Sequence, residues 1–311
     1  MVKIQLPDYK KIASGIKRKR VEVSEGEIDK TLNRLKRSRA KFTAKNSSAQ
    51  KGDFVEIEYL LLQFGKDWKR DAFILGEGYF LPGFEEKIIG MKTGEKKDNI
   101  VLEKSGKDIS VKLKIISVQN VEFPGLTDEF AKGLPRTIFQ SSGLRKENTQ
   151  EMVRGLGNFE NLAGLKNNIK EGLKTEKEEA ERQRVREEIL EKISQQTKFE
   201  IPEVLVKNEQ EQIMENLKRN VVEGLKISFE EYLNKIKKTK EELLESFLPQ
   251  AQKKVNFFLI LRGIGEREKI EVSQQEAEEE VAKFGVDPEK LKEYAKEVIR
   301  TEKTFQLLEN L

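Results

Sequence analysis

Apolar positions change their spacing along this chain, and each change marks a boundary. Ile28, Leu32 and Leu35 recur at helical intervals behind Ser24, and Glu27, three residues on, completes a capping box. This predicts a helix from Ser24 to about Phe42, with a basic, extended lead-in from Pro7 to Arg20 and a loop from Thr43 to Lys51. The texture then becomes that of strands: Phe54, Ile57, Tyr59 and Leu61, then Phe73 to Leu75, Ile100 to Leu102, and Ile109 to Val118. In the last of these Val111, Leu113 and Ile115 alternate with lysines, as in a sheet with one wet face. Gly65, Gly76, Gly78, Gly83, Gly90, Gly94 and Gly106 punctuate the stretch, so residues 46–121 read as a compact β-rich domain.

After Phe123-Pro124-Gly125-Leu126 the pattern is helical almost to the end. Leu165, Ile169 and Leu173 recur at four, as do Val185, Ile189 and Ile193. Pro202 sits in the first turn of a further helix whose stripe is Val206, Ile213, Leu217, Val221 and Leu225. Ser228 with Glu231, Thr239 with Glu242 and Ser273 with Glu276 are capping boxes, and Asp287-Pro288 opens the last helix. Stripes this narrow, flanked by charge, suit helices that pair into arms rather than build a thick core. Residues 133–158, richer in Gly, Ser and Thr, read as an irregular insertion.

Composition sharpens the picture. Of the 311 residues 37% are charged and 36% hydrophobic, which favours small or elongated units with much surface. The net charge of only +4 argues against a strong nucleic-acid footprint. With neither Cys nor His, disulfides, thiol nucleophiles, imidazole catalysis and Cys/His metal sites are excluded, and no acidic loop has metal-ligand spacing; no metal or cofactor is expected. The first residues lack a signal peptide's apolar core and no apolar run is long enough to span a membrane, so a cytoplasmic protein without membrane partners is expected.

The candidate chemistry lies in Gly76-Glu77-Gly78-Tyr79-Phe80-Leu81-Pro82-Gly83-Phe84-Glu85-Glu86 and in Ile89-Gly90-Met91-Lys92-Thr93-Gly94-Glu95. This reads as a strand end, a turn, a short helix carrying Phe84 and Ile88, and a turn into the next strand. The Gly-x-Gly element is no phosphate loop, because no Lys or Ser/Thr follows at the required spacing. Around it gather Tyr59, Phe64, Trp68, Phe73, Tyr79, Phe80 and Phe84, enough aromatics to line an apolar cleft.

These segments closely resemble the FKBP-type domain of the bacterial trigger factor family. Pro7 to Ile12, Val21 to Ser24, Phe123 to Lys132 and Phe199 to Val206 with Glu209 resemble, in family order, the segments flanking that domain and within the helical domain. The resemblance implies an α+β multidomain protein: an FKBP-like antiparallel half-barrel with a short helix, inserted into an elongated all-helical chaperone domain with arms. Residues 1–45 would be a lead-in strand and helix belonging to the chaperone domain, 46–121 the FKBP-like domain and 122–311 the helical domain. The implied function is ATP-independent folding chaperoning of unfolded or nascent polypeptides, joined to peptidyl-prolyl isomerase activity. Prolyl isomerases of this type need no acid, base or metal: a dry cleft weakens the resonance behind a barrier of about 18–20 kcal/mol.

Carried over residue by residue, the isomerase cleft would comprise Tyr59, Trp68, Phe73, Phe80, Leu81 and Phe84, with Phe80 and Leu81 under the proline ring and Phe84 as the floor. Client contacts are expected at Phe229, Tyr232, Phe247, Phe257, Phe258, Phe284 and Tyr294. Three departures weaken the expected isomerase. Lys69 stands where many members carry an acid, the flap shrinks to Glu103–Asp108, and Val111 replaces an aromatic. Members of the family open with a ribosome-docking domain, and this chain starts just after it, so a ribosome partner is expected only if such a domain precedes. The alternatives are a dedicated prolyl isomerase with substrate-recruiting helices, and a ribosome- or RNA-binding protein built on Lys17–Arg20 and Lys36–Arg39.

Overall fold

A computed structural model describes residues 4–63, 67–80, 82–104, 107–134, 159–282 and 288–311. Leu81, Phe284 and all but the first two residues of the 133–158 stretch lie outside them. The chain separates into two compact units, one of Glu22–Thr175 and one of Met1–Val21 with Glu176–Leu311. Among the described residues no helix is long and apolar enough to cross a membrane.

The first unit is built on an antiparallel sheet of β1 (Lys41–Ala44), β2 (Phe54–Leu61), β3 (Lys69–Ile74), β4 (Lys96–Lys104) and β5 (Lys107–Glu122), with a short helix, residues Phe84–Ile88, between β3 and β4. Its order is β1-β5-β2-β3, with β4 paired to β5 off that path. Alternation along β5 puts Ile109, Val111, Leu113 and Ile115 inside, and the phase then shifts so that Val118 follows. The shift has a local cause. Ile57 pairs with Ile115 but Glu56 with Ser117, a bulge that re-aims the strand. Val55, Ile57, Phe73, Leu75, Ile100 and Leu102 complete a core capped by Phe84, Ile88 and Met91.

Two elements differ from the sequence expectation. The helix behind Ser24 runs over Glu25–Ser38, with its capping box in place, and stops short of Phe42. Residues 41–44 instead form β1, paired with the end of β5 from Lys41↔Glu122 to Ala44↔Gln119. All four β1 residues are exposed, so no burial pattern betrayed the strand. The lead-in, expected to be extended, holds a helix at Tyr9–Ser14, where Asp8 accepts the Lys11 N–H at 3.1 Å. Six residues cannot sustain a helix alone; burial of Tyr9 and Ala13 stabilises it. Calling these α1 (Tyr9–Ser14), α2 (Glu25–Ser38) and α3 (Phe84–Ile88), the remaining helices are α4 (Asp128–Lys132), α5 (Leu162–Gln196), α6 (Glu203–Asn220), α7 (Phe229–Ile236), α8 (Lys240–Ser246), α9 (Leu248–Arg267), α10 (Gln274–Ala282) and α11 (Pro288–Glu309).

Beside the sheet core, the first unit has a helical cluster in which Ile28, Leu32 and Leu35 of α2 meet Phe130 and Ala131 of α4 and Leu165 and Ile169 of α5. The second unit is helical. Tyr9 and Ala13 pack with Val185, Ile189 and Ile193 of α5, Ile260 and Ile264 of α9 and Leu308 of α11. A smaller cluster joins Val206 of α6 to Ala251, Val255 and Leu259 of α9. Beyond it the chain thins: α6 ends in a π turn at Val221–Leu225, and α7 buries no residue at all.

Candidate functional site

The aromatic site is assembled by three neighbouring pieces of the first unit. β2 supplies Tyr59, β3 supplies Phe73, and the turn into α3 supplies Tyr79, Phe80 and Phe84. Phe80 is the hub. Its ring centroid lies 4.6 Å from Phe84, 5.0 Å from Phe73, 5.2 Å from Tyr59 and 5.5 Å from Tyr79. Phe84 is buried beneath it, Tyr79 stacks on Phe73 at 5.5 Å, and Tyr79 remains 63% exposed. Such contacts at tilted and edge-on angles are the favourable ones for aromatic quadrupoles. The rings thus close upon one another.

The turn carrying Phe80 needs glycine: Gly76 and Gly78 have φ of 90° and 73°, which L side chains avoid. It is tied down by Glu85, in the first turn of α3. The Glu85 carboxylate accepts the N–H of Gly76 at 2.6 Å on Oε2, and those of Tyr79 at 2.6 Å and Phe80 at 3.3 Å on Oε1. Burial pushes the Glu85 carboxyl up, but the backbone N–H groups outweigh it and hold the group below the usual carboxylate range. Burial also pushes the Tyr59 hydroxyl up, and Asp71 adds to this through its charge and through a hydrogen bond to the hydroxyl. The site therefore offers an apolar wall and one anchored tyrosine.

Of the cleft residues expected from sequence, Tyr59, Phe73, Phe80 and Phe84 come together. Trp68 stands 49% exposed and makes no ring contact with them among the described residues. Leu81 lies outside the described residues. Val111, where the resemblance implies an aromatic, is wholly buried in the sheet core. The shortened flap is a hairpin whose ladder continues to Glu103↔Asp108 and Lys104↔Lys107. Sequence reasoning counted Tyr79 among the surrounding aromatics but not among the carried-over cleft residues, and gave Glu85 no role. The signal for Glu85 was a carboxylate closely following a turn with two glycines, whose N–H groups lack strand partners.

Comparison with known proteins places this geometry. A family described as FKBP-type peptidyl-prolyl cis-trans isomerase matches residues 45–106, and one described as bacterial trigger factor protein (TF) C-terminus matches residues 161–308. The trigger factor of Halothermothrix orenii is 30% identical over 310 residues, covering 94% of this chain and 66% of its own length. This chain belongs to the trigger factor family. The trigger factor of Caldicellulosiruptor saccharolyticus is likewise 30% identical over 307 residues, covering 93% of this chain and 64% of the relative. The chain thus spans just under two thirds of the trigger factors it matches. A solved structure of a trigger factor chaperone overlaps 99% of this chain and 73% of its own at 20% identity, with a TM-score of 0.49.

The residues named for client contact fall into distinct surroundings. Phe258 and Tyr294 are exposed, at 38% and 63%. Phe229 and Tyr232 of α7 are half-buried and stack on each other at 6.1 Å, with the Lys218 ammonium 5.8 Å from the Phe229 ring. Phe247 is half-buried at the start of α9, and Phe257 packs against the main helical core. Phe284 lies outside the described residues. Sequence reasoning did not single out Val204, Val222, Leu225 and Leu248, which are exposed at 68%, 51%, 59% and 41%. Leu225 had been assigned to the buried stripe of α6; the π turn rotates it away.

Proposed function

We propose that this chain is an ATP-independent folding chaperone that holds unfolded or nascent polypeptides on its helical unit, and that its FKBP-type unit is a weakened peptidyl-prolyl isomerase. The observation that carries the chaperone reading is α7 with the π turn before it: apolar side chains on a charged scaffold, none buried in α7 and only Val221 buried in the turn. Val222, Leu225, Phe229, Tyr232, Phe258 and Tyr294 are the contacts it favours, and unfolded segments of many sequences suit such a surface. The family supports it: residues 161–308 match the bacterial trigger factor C-terminus. For the isomerase, Tyr59, Phe73, Phe80 and Phe84 form the cleft and Trp68 its rim, Leu81 being assigned by the resemblance alone, with residues 46–121 as the functional domain and 1–45 with 122–311 as the chaperone domain. The self-packed rings and short flap favour low activity. No cofactor and no membrane or nucleic-acid partner enters this reading, and the cytoplasm is the expected location.

Two assays on one refolding protein test it. Catalytic amounts of the chain are expected to accelerate a proline-limited refolding phase only slightly, while stoichiometric amounts suppress aggregation without ATP. Failure to suppress aggregation would overturn the chaperone reading. Strong acceleration that saturates at low chain concentration would make the protein a dedicated isomerase instead.

A further inference from the structure

We infer that Glu85 is a positioning residue of the prolyl site: its buried carboxylate clamps the Gly76–Phe80 turn and so holds the Phe80 ring over Phe84. The inference rests on the isomerase reading given above. Glu85 is only 7% exposed, and both of its oxygens are used, Oε2 for Gly76 and Oε1 for Tyr79 and Phe80. Among the described residues no cation forms an ion pair with it. The charge is offset by a concave set of backbone N–H groups, an anion nest whose anion comes from the protein itself. Desolvation opposes the charge and the N–H groups overcome it, so the clamp is ionised at neutral pH.

A turn with two glycines at positive φ has wide conformational freedom when released. Phe80 is the residue on that turn that touches Tyr59, Phe73 and Phe84 at once. Fixing its N–H and that of Tyr79 to a single oxygen therefore fixes the ring that a prolyl substrate must meet. Gln cannot replace Glu here. Its amide puts an N–H₂ donor where one of the acceptors was, facing either Gly76 or Tyr79.

A loosened turn populates the competent arrangement for only a fraction of the time, and this divides apparent affinity by that fraction without touching the chemical step. In the full chain at pH 7, E85Q is expected to raise KM for an Ala-Leu-Pro-Phe peptide about tenfold with kcat within about twofold. A merely structural role would show the reverse, a fall in kcat at unchanged KM as folded protein is lost. Amide exchange at Gly76, Tyr79 and Phe80 is expected to quicken at least about tenfold in E85Q, while Ile57 and Val111 stay protected. E86Q, at the exposed neighbour, should match the parent throughout. An active parent whose E85Q variant keeps its KM, or unchanged exchange at those three amides, overturns the inference. A parent without isomerase activity overturns the isomerase reading instead. The clamp is then decided by the amide exchange and by the E85Q loss of peptide-induced shifts at Phe80.

Discussion

Single residues carry this protein's site through burial more than through charge. Phe84 is the clearest case: at 1% exposure it is at once the floor of the aromatic site and part of the sheet core. F84A should cost the first unit about 3–5 kcal/mol, the range for a large aromatic removed from a core. Chemical denaturation followed in that unit checks this, and a loss under 1 kcal/mol would mean the rings do not share the core. Phe84 and Ile88, four apart between two glycine turns, were legible from sequence alone. Trp68 was not, because nothing in a linear pattern tells a ring that packs from one that faces water. Tyr79 and Phe80 are adjacent and equally apolar, yet one is 63% exposed and the other is the hub of the cluster.

At the scale of elements, the sharpest electrostatic feature holds the last helix. Arg186 of α5 reaches Glu309 at 2.6 Å and Glu302 at 2.7 Å, and Arg182 adds contacts to the same two carboxylates at 3.1 and 2.9 Å. The Arg186 guanidinium also lies 4.6 Å over the Phe305 ring, and Arg18 donates to the Glu309 carbonyl. Burial pushes the Glu309 carboxyl up, but Arg186 and Arg182 outweigh it and hold it below the usual range; Glu302 is held down first by its hydrogen bonds to Arg186. Because both folded values lie below the unfolded one, about 4.3, this stabilisation is complete above about pH 5. It is lost as pH falls through the folded values. E309A should therefore cost about 1.5–3 kcal/mol at pH 7, since it removes charged hydrogen bonds from a guanidinium that is only 10% exposed and leaves it Glu302 alone. The gap in melting temperature between E309A and the parent should narrow on acidification; a gap constant down to pH 3 would deny the clamp its electrostatic character. None of this was readable from spacing, because the partners are 116 to 291 residues apart.

The whole molecule is two separately cored units joined where the chain crosses between them, at Val21/Glu22 and Thr175/Glu176. Separate cores share little cooperativity, so equilibrium unfolding should not be two-state. Trp68, the chain's one tryptophan, lies in the unit of Glu22–Thr175, whereas far-UV helical ellipticity comes largely from the other. Tryptophan emission and ellipticity are expected to give distinct urea midpoints, with F84A moving the first and leaving the second. Coincident midpoints that move together would mean that the units fold as one. The β-rich stretch and the helical stretch were both visible as changes of period. The contact boundary was not, because Glu22–Ser38 carries an ordinary amphipathic pattern that fits any apolar partner, and the partner proves to be α4 with the first turns of α5.

Sequence by itself determined what depends on neighbours along the chain. The capping boxes at Ser24 and Thr239 are formed as written, the strands of β2 and β5 follow their alternation, and the short helix starts at Phe84 between its glycines. Local sterics and periodic burial leave little choice at those positions. Tertiary structure decided whatever needed a partner distant in sequence. It made β1 a strand because the end of β5 offered an unpaired edge, and it turned a carboxylate into the clamp of a glycine turn. It also drew the aromatic rings together and left Trp68 outside. The free energy of such contacts belongs to pairs of residues, and a one-dimensional pattern records only their separate tendencies to be buried.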